Sequence, residues 1–269
     1  MGGIPILLTI VLFAIVLINI DIDIKYFSLM LLFLAFATLG FIDDLSKIRK
    51  RQNLGLTGRQ KLFWQFVFAF IFAGILVWKG HNTTVTGILQ AMHFDIPWLY
   101  FPFVSLVVVG GANAVNLSDG LDGLAASTLA IAFGAMAVVS YISQATDPGI
   151  LSATAAGAAL AFLWFNVHPA EVFMGDIGSM GLGALISGIA VILHKEIAFA
   201  VIGGVFVMEA LSVIIQVFSY KTFKRRVFRM TPIHHHFELL GITEPIVVLI
   251  FSILALLFAI AGVWISTVV

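Results

Sequence analysis

Residues 116–123 read Asn-Leu-Ser-Asp-Gly-Leu-Asp-Gly and set two carboxylates and an amide at the edge of an apolar run. A carboxylate at bilayer depth costs roughly 2.5–3.5 kcal/mol on insertion scales, so such groups usually mark chemistry. Asn116, Asp119 and Asp122 recur every third residue, which stacks them along one face if the segment is helical. Hard oxygen ligands at a membrane surface suit magnesium and phosphate. The competing reading is a polar turn, where Asp-Gly pairs are common. Two such pairs in succession exceed what a tight turn needs.

Three other segments carry chemistry of the same kind. Asp43 and Asp44 are adjacent carboxylates that repel unless a cation sits between them. They read either as metal ligands or a base toward phosphate, or as a helix-end acid pair neutralised by Lys47 and Arg51. Asp176 lies in Phe-Met-Gly-Asp-Ile-Gly-Ser where a helix begins. There it can hold a metal, bind near phosphate, or act as an N-cap with Ser179 three residues on. Asn166, His168 and Glu171 lie just upstream as weaker candidates. His234, His235 and His236 form a run, but adjacent side chains cannot all converge on one ion. A phosphate-contacting role suits the five cations between Lys221 and Arg229; a solvated run is the plainer alternative.

These groups need a scaffold, and the composition defines its class. The chain is 61% hydrophobic and only 10% charged, with mean hydropathy +1.11, more apolar surface than a soluble core can hide. That makes it a polytopic membrane protein. Net charge is zero, so bulk charge selects no partner, and no nucleic-acid partner is expected. Cysteine is absent, which excludes disulfides and thiol catalysis. No Walker A loop, GxSxG elbow, HExxH motif or internal repeat is present.

Nine runs are long enough to span, at about 4–20, 24–42, 61–79, 98–116, 121–142, 149–166, 173–193, 197–220 and 244–267. Their length and lack of alternation predict an all-α helical bundle. The span 173–193 is the weakest because it holds five glycines, Gly175, Gly178, Gly181, Gly183 and Gly188. Glu209 and Gln216 lie inside the 197–220 span and are read as buried helix–helix hydrogen bonds. Eleven of the 14 Lys and Arg residues fall in 47–61 and 221–229. Counting spans puts both segments on one side, which the positive-inside rule makes cytoplasmic. The same parity places 116–123, 166–179 and the His run on that side too.

Six segments together resemble the phospho-N-acetylmuramoyl-pentapeptide-transferase (translocase I) family of polyprenyl-phosphate N-acetylhexosamine-1-phosphate transferases. They are MGGIPIL, GFIDDLSKIRKRQNLGLTGRQK, GGANAVNLSDGLDGLA, FNVHPAEVFMGDIGSMGLGA, VFVMEALSVIIQV and TPIHHHFELLG, in the family's order. The acidic motifs match the wider superfamily; PIHHHFE resembles the muramoyl-pentapeptide branch. The resemblance implies transfer of phospho-MurNAc-pentapeptide from UDP-MurNAc-pentapeptide to undecaprenyl phosphate, giving lipid I and UMP, with Mg2+ as cofactor. It implies a bacterial inner-membrane protein with its site on the cytoplasmic side, in contact with membrane lipid and compatible with a homodimer.

By motif, it assigns catalytic roles to Asp43, Asp44, Asp176 and His235, with the metal on Asp176. Substrate contacts fall to Asn116, Asp119, Asp122, Asn166, Phe173, Lys47, Arg51 and His236. Ser118 stands where the family often has threonine. The family has ten spans, so the resemblance also implies that a first span, and a loop with a substrate-contacting lysine, would precede Met1-Gly2-Gly3. Residues 1–269 are expected to form a single transmembrane transferase domain. A sister transferase using UDP-GlcNAc and a cation-coupled transporter are the alternatives; a transporter predicts acids near the membrane midplane, whereas these cluster at one surface.

Overall fold

A computed structural model describes residues 2–17, 24–50, 55–83, 85–86, 93–94 and 97–268. Among the described residues eleven helices run in order: α1 (Gly3–Leu17), α2 (Ile24–Lys50), α3 (Gly58–Trp78), α4 (Pro97–Ser118), α5 (Leu124–Ile142), α6 (Thr146–Asn166), α7 (Gly175–Ile192), α8 (Glu196–Ile202), α9 (Gly204–Phe223), α10 (Ile233–Glu238) and α11 (Glu244–Val268). Between α3 and α4, Val85 pairs with Phe94 and Thr86 with His93 in a two-residue antiparallel ladder, β1 and β2. Eight of the helices are long and apolar enough to cross a membrane. The first predicted span is represented by α1, whose 15 described residues fall short of that length.

Small residues are frequent on the inner faces of the helices, among larger ones such as Phe33 and Phe133. On α11 the buried positions are Val247, Phe251, Ala255, Ala259, Gly262 and Ser266, recurring every three or four residues. Leu249, Ile253, Leu257, Ile260 and Trp264 on the same helix face outward. Without a hydrophobic drive between helices in lipid, close packing of small residues supplies the attraction.

The glycine-rich span is the centre of the bundle. Ile177 to Val191 of α7 are all buried, and the helix packs along α2 on one side and α4 on another. A Cβ at Gly183 would lie 2.7 Å from the Cα of Ala112, so only glycine lets α4 and α7 touch backbone to backbone. The glycines that weaken the span's hydropathy are thus what allow it to be enclosed.

Two other elements depart from the sequence expectation. The 197–220 span divides at Gly203 into α8, which packs on α11, and α9, which packs on α4. A Gly203–Gly204 pair is a usual place for a helix to break, and Gly204 lies against the Phe258 ring. Glu209 makes the expected buried helix–helix contact, though with the short helix α10 and not with a neighbouring span, while Gln216 bonds the loop that follows α9. Glu209 Oε1 meets His234 Nδ1 at 3.1 Å, and Gln216 Oε1 accepts from Val227 and Phe228 N–H at 2.9 and 3.0 Å. Both fold the segment after α9 back onto that helix.

The ends of α7 separate two polar regions. Its N-terminus meets the acidic motifs. Its C-terminus, about 27 Å away for 18 residues, meets a stacked pair of imidazoles, His81 and His194, with centroids 4.2 Å apart and planes 5° from parallel. His81 Nε2 lies 3.3 Å from the Val191 carbonyl. Burial, then the charges of His194 and Lys25, lower the pKa of His81 from 6.5 to about 4. Because the folded value is depressed, the unfolded chain binds the proton more readily. The stability this neutral ring contributes is present above pH 6.5 and lost as pH falls through about 4. Thermal unfolding in detergent is expected to show a drop between those pH values that is smaller in His81→Asn.

Candidate functional site

The site begins where α2 crosses the start of α7. Gly40 lies directly against the Asp176 carbonyl, so any side chain there would push the two helices apart. One turn on, α2 presents Asp43 and Asp44, and these two adjacent acids take different roles. Asp43 is fully buried and its Oδ1 accepts from the Leu56 N–H at 2.6 Å. Asp44 turns to α7, with Oδ2 3.5 Å from the Ile177 N–H. Asp176 is the second residue of α7 and does not cap it; the helix begins at Gly175, with Met174 before it. An acid in the first turn is favoured by the partial positive charge of the helix N-terminus.

Two lysines sit among these carboxylates. Lys47 Nζ is 2.7 Å from Asp43 Oδ2, 3.4 Å from Asp44 Oδ1 and 3.1 Å from Asp176 Oδ2. Lys61 Nζ is 2.9 Å from Asp43 Oδ2 and 2.8 Å from Asp176 Oδ2. Lys61 reaches the cluster because a capping box starts α3 three residues before the expected span. The Thr57 hydroxyl accepts from the Gln60 N–H at 3.3 Å, and Gln60 Oε1 accepts from the Thr57 N–H at 3.0 Å. One turn beyond Lys61, Gln65 is fully buried and pairs with Asn113 of α4, whose Nδ2 donates to Gln65 Oε1 at 2.7 Å.

The Asn-x-x-Asp-Gly-x-Asp-Gly segment joins this cluster from the end of α4. Asn116 Nδ2 donates to Asp176 Oδ1 and to Ser179 Oγ, each at 2.9 Å. Asp119 accepts from the Gly175 N–H, so three acids, Asp44, Asp119 and Asp176, gather at one helix N-terminus. Asp122 turns away into a second group. Its Oδ2 lies 3.1 Å from His168 Nδ1 and accepts from the Ala170 N–H at 3.0 Å, while Glu244 Oε2 is 3.4 Å from the same imidazole nitrogen.

The remaining predicted residues are distributed around these two groups. Asn166 is buried, and its side chain is bound at both ends: Oδ1 accepts from Gly123 N–H at 3.1 Å and Nδ2 donates to the Val172 carbonyl at 2.9 Å. Phe173 is 65% exposed next to Met174, a flat aromatic face open to a ligand. The three histidines have three different partners. His234 meets Glu209, His235 Nδ1 is 2.6 Å from Glu238 Oε2, and His236 Nδ1 accepts from the Arg229 N–H at 3.1 Å. The His234 ring lies against Gly120, which brings α10 beside the acidic turn. Arg51 lies outside the described residues.

Asp43, Asp44 and Asp176 each offer an oxygen within 4.8 Å of the others and could hold a metal ion; Asp122, His168 and Glu244 meet the same test. The first set is all carboxylate, the hard donor type that magnesium takes. Lys61, Asn113 and Glu244 join these groups without having been singled out as site residues by their motifs. For Lys61 the available signal was the Thr-x-x-Gln box before it. For Asn113 it was an amide one helical turn before Asn116 in an apolar run.

A membrane bundle with carboxylates and lysines gathered at one helix N-terminus matches the glycosyl transferase family 4 model over residues 26–194. The chain is 47% identical over 268 residues to the phospho-N-acetylmuramoyl-pentapeptide-transferase of Bacillus pumilus (strain SAFR-032), covering 99% of this chain and 83% of that relative. Identity to the enzyme of the same name from Oceanobacillus iheyensis is 47% over 270 residues, and from Bacillus subtilis (strain 168) 45% over 268, with the same shares covered. The chain belongs to the phospho-N-acetylmuramoyl-pentapeptide-transferases of glycosyl transferase family 4.

Burial first, and then the negative charges of Asp176 and Asp44, push the Asp119 carboxyl up to about 7. With the folded value raised, the unfolded chain gives up its proton first as pH rises. Asp119 therefore costs stability progressively from about pH 4 until the cost levels off above pH 7. In chelator, Asp119→Asn is expected to gain in thermal stability over the wild type as pH rises from 4 to 7, read from paired melting curves.

Proposed function

We propose that this chain transfers phospho-MurNAc-pentapeptide from its UDP carrier to undecaprenyl phosphate at the cytoplasmic face of a bacterial inner membrane, releasing UMP and forming lipid I. The observation that carries the reading is the set of Asp43, Asp44 and Asp176 carboxylates around Lys47 and Lys61 at the start of α7. Two anionic reactants must be brought together there, so charge neutralisation and in-line alignment are the main tasks.

An oxygen of the lipid phosphate forms a bond to the β-phosphorus of the nucleotide sugar. The bond from that phosphorus to the bridging oxygen breaks, and UMP leaves with the oxygen and its electron pair. Asp43, at the buried end of the cluster, positions or deprotonates the lipid phosphate. Lys47 and Lys61 move from carboxylate to phosphate oxygens as the substrates enter. Asp119, Asp122 and Asn116 hold the uridine and sugar end, with Phe173 as a stacking face, and His235 and His236 meet phosphate charge. Asp44 and Asp176 would hold Mg2+, which when bound supplies Lewis-acid stabilisation of the pyrophosphate and of the departing UMP.

Part of the prenyl tail would lie beside α9, and one feature supports that reading. An apolar cavity of about 250 Å³ between α4, α8 and α9 is lined by Val107, Gly111, Phe199, Phe206, Val207 and Leu211.

The test is magnesium-dependent UMP release from UDP-MurNAc-pentapeptide in detergent with undecaprenyl phosphate. Wild-type turnover is expected, with Asp176→Asn and Asp43→Asn each lower by at least about a hundredfold, the scale of losing one electrostatic group in a phosphoryl-transfer site. Turnover with UDP-GlcNAc but not with the muramoyl donor would contradict the proposal.

A further inference from the structure

We propose that His168 is a positioning residue that sets the orientation of Asp122 toward the donor nucleotide, with Glu244 holding the turn from behind. This rests on the transferase reading above, in which Asp122 meets the uridine and sugar end. Both side-chain contacts of Asp122 fall on one oxygen: Oδ2 is 3.1 Å from His168 Nδ1 and 3.0 Å from the Ala170 nitrogen. Among the described residues Oδ1 has no such partner and is left to accept from a ligand.

Three separate chain segments meet at this point. The Asp122 N–H donates to Glu244 Oε1 at 2.6 Å, and the other oxygen of Glu244 is 3.4 Å from His168 Nδ1. Next to it, the Gly123 N–H donates to Asn166 Oδ1 at 3.1 Å. The turn between α4 and α5 is thereby fixed to the 166–172 loop through the Asp122 side chain and the Gly123 N–H, and to the first residue of α11 through the Asp122 N–H. One imidazole nitrogen between two carboxylates fixes which carboxylate oxygen is used up. An N–H donor shared by two acids is also a charge-assisted contact, about twice as strong as a neutral one.

The geometry requires a donor at the Nδ1 position, which an asparagine amide reproduces and a glutamine amide, one carbon longer, does not. Equilibrium binding of UMP and the KM values for both substrates would be measured for wild type, His168→Ala, His168→Asn and His168→Gln. The alanine and glutamine variants are expected to lose nucleotide affinity by about tenfold, the scale of one charge-assisted hydrogen bond. Their KM for the lipid and their melting temperatures should stay at wild-type values, and His168→Asn should recover to within about threefold. UMP binding by His168→Ala equal to wild type would overturn the inference. So would parallel losses toward both substrates with a lowered melting temperature, which would mark a merely structural role. If wild type turns over while His168→Ala binds normally, only this inference falls. If wild type neither binds UMP nor releases it, the transferase reading falls and takes this inference with it.

Discussion

The site depends on bringing negative charge to one buried helix end and holding it there. Asp44 and Asp119 accept from the first backbone N–H groups of α7, and Asp176 stands within its first turn. A helix N-terminus offers only a partial positive charge, too little to balance three carboxylates joined by a fourth, Asp43. Lys47 and Lys61 supply the rest, each within 3.1 Å of Asp176 Oδ2 and 2.9 Å of Asp43 Oδ2. Removing one partner from a buried charge cluster leaves the other uncompensated, which is where such clusters become costly. The arrangement holds together in the protein itself, and it is also primed to exchange partners when anionic phosphates arrive.

The fold exists to make that convergence possible. α7 is enclosed from Ile177 to Val191, and the absence of side chains at Gly40 and Gly183 lets α2 and α4 approach its backbone. α3 joins through the Thr57–Gln60 box, which sets the phase that turns Lys61 inward. The segment after α9 returns to the site because Glu209 and Gln216 tie it back. Each of these is a polar or glycine position in an otherwise apolar helix, and such positions are expensive in a membrane unless something uses them.

Much of this was legible in the chain. Hydropathy located the crossing helices, since apolar length is a direct consequence of bilayer thickness. Charge parity put the polar motifs on one side, and in the structure Asp43, Asp119, Asp176 and His234 do lie at one end of the bundle. What hydropathy could not show was enclosure. The five glycines of α7 read as weakness because the scale scores each residue against solvent and is blind to a neighbouring helix. Lys61 was legible only as one of the basic residues of 47–61, because its partner, Asp176, lies 115 residues away and the phase of α3 is set by its cap. Asn166 was placed among ligand contacts by its motif, and what the motif did not show is that the same amide also ties Gly123 N–H to the Val172 carbonyl, with a second N–H and a second lone pair left over.

The central claim is that the carboxylates at the start of α7 form one cation seat, which the lysine ammonium groups share. Manganese, as a paramagnetic substitute for magnesium, would be titrated into wild type and Lys61→Met in detergent and followed by electron paramagnetic resonance. Because Lys61 competes for Asp176 Oδ2, 2.8 Å from its ammonium, the variant should bind the ion more tightly, by about tenfold if one close charge is removed from a partly screened site. Affinity that is unchanged or weaker in Lys61→Met would mean that the ion and the ammonium do not share a seat, and the account of this site would be wrong.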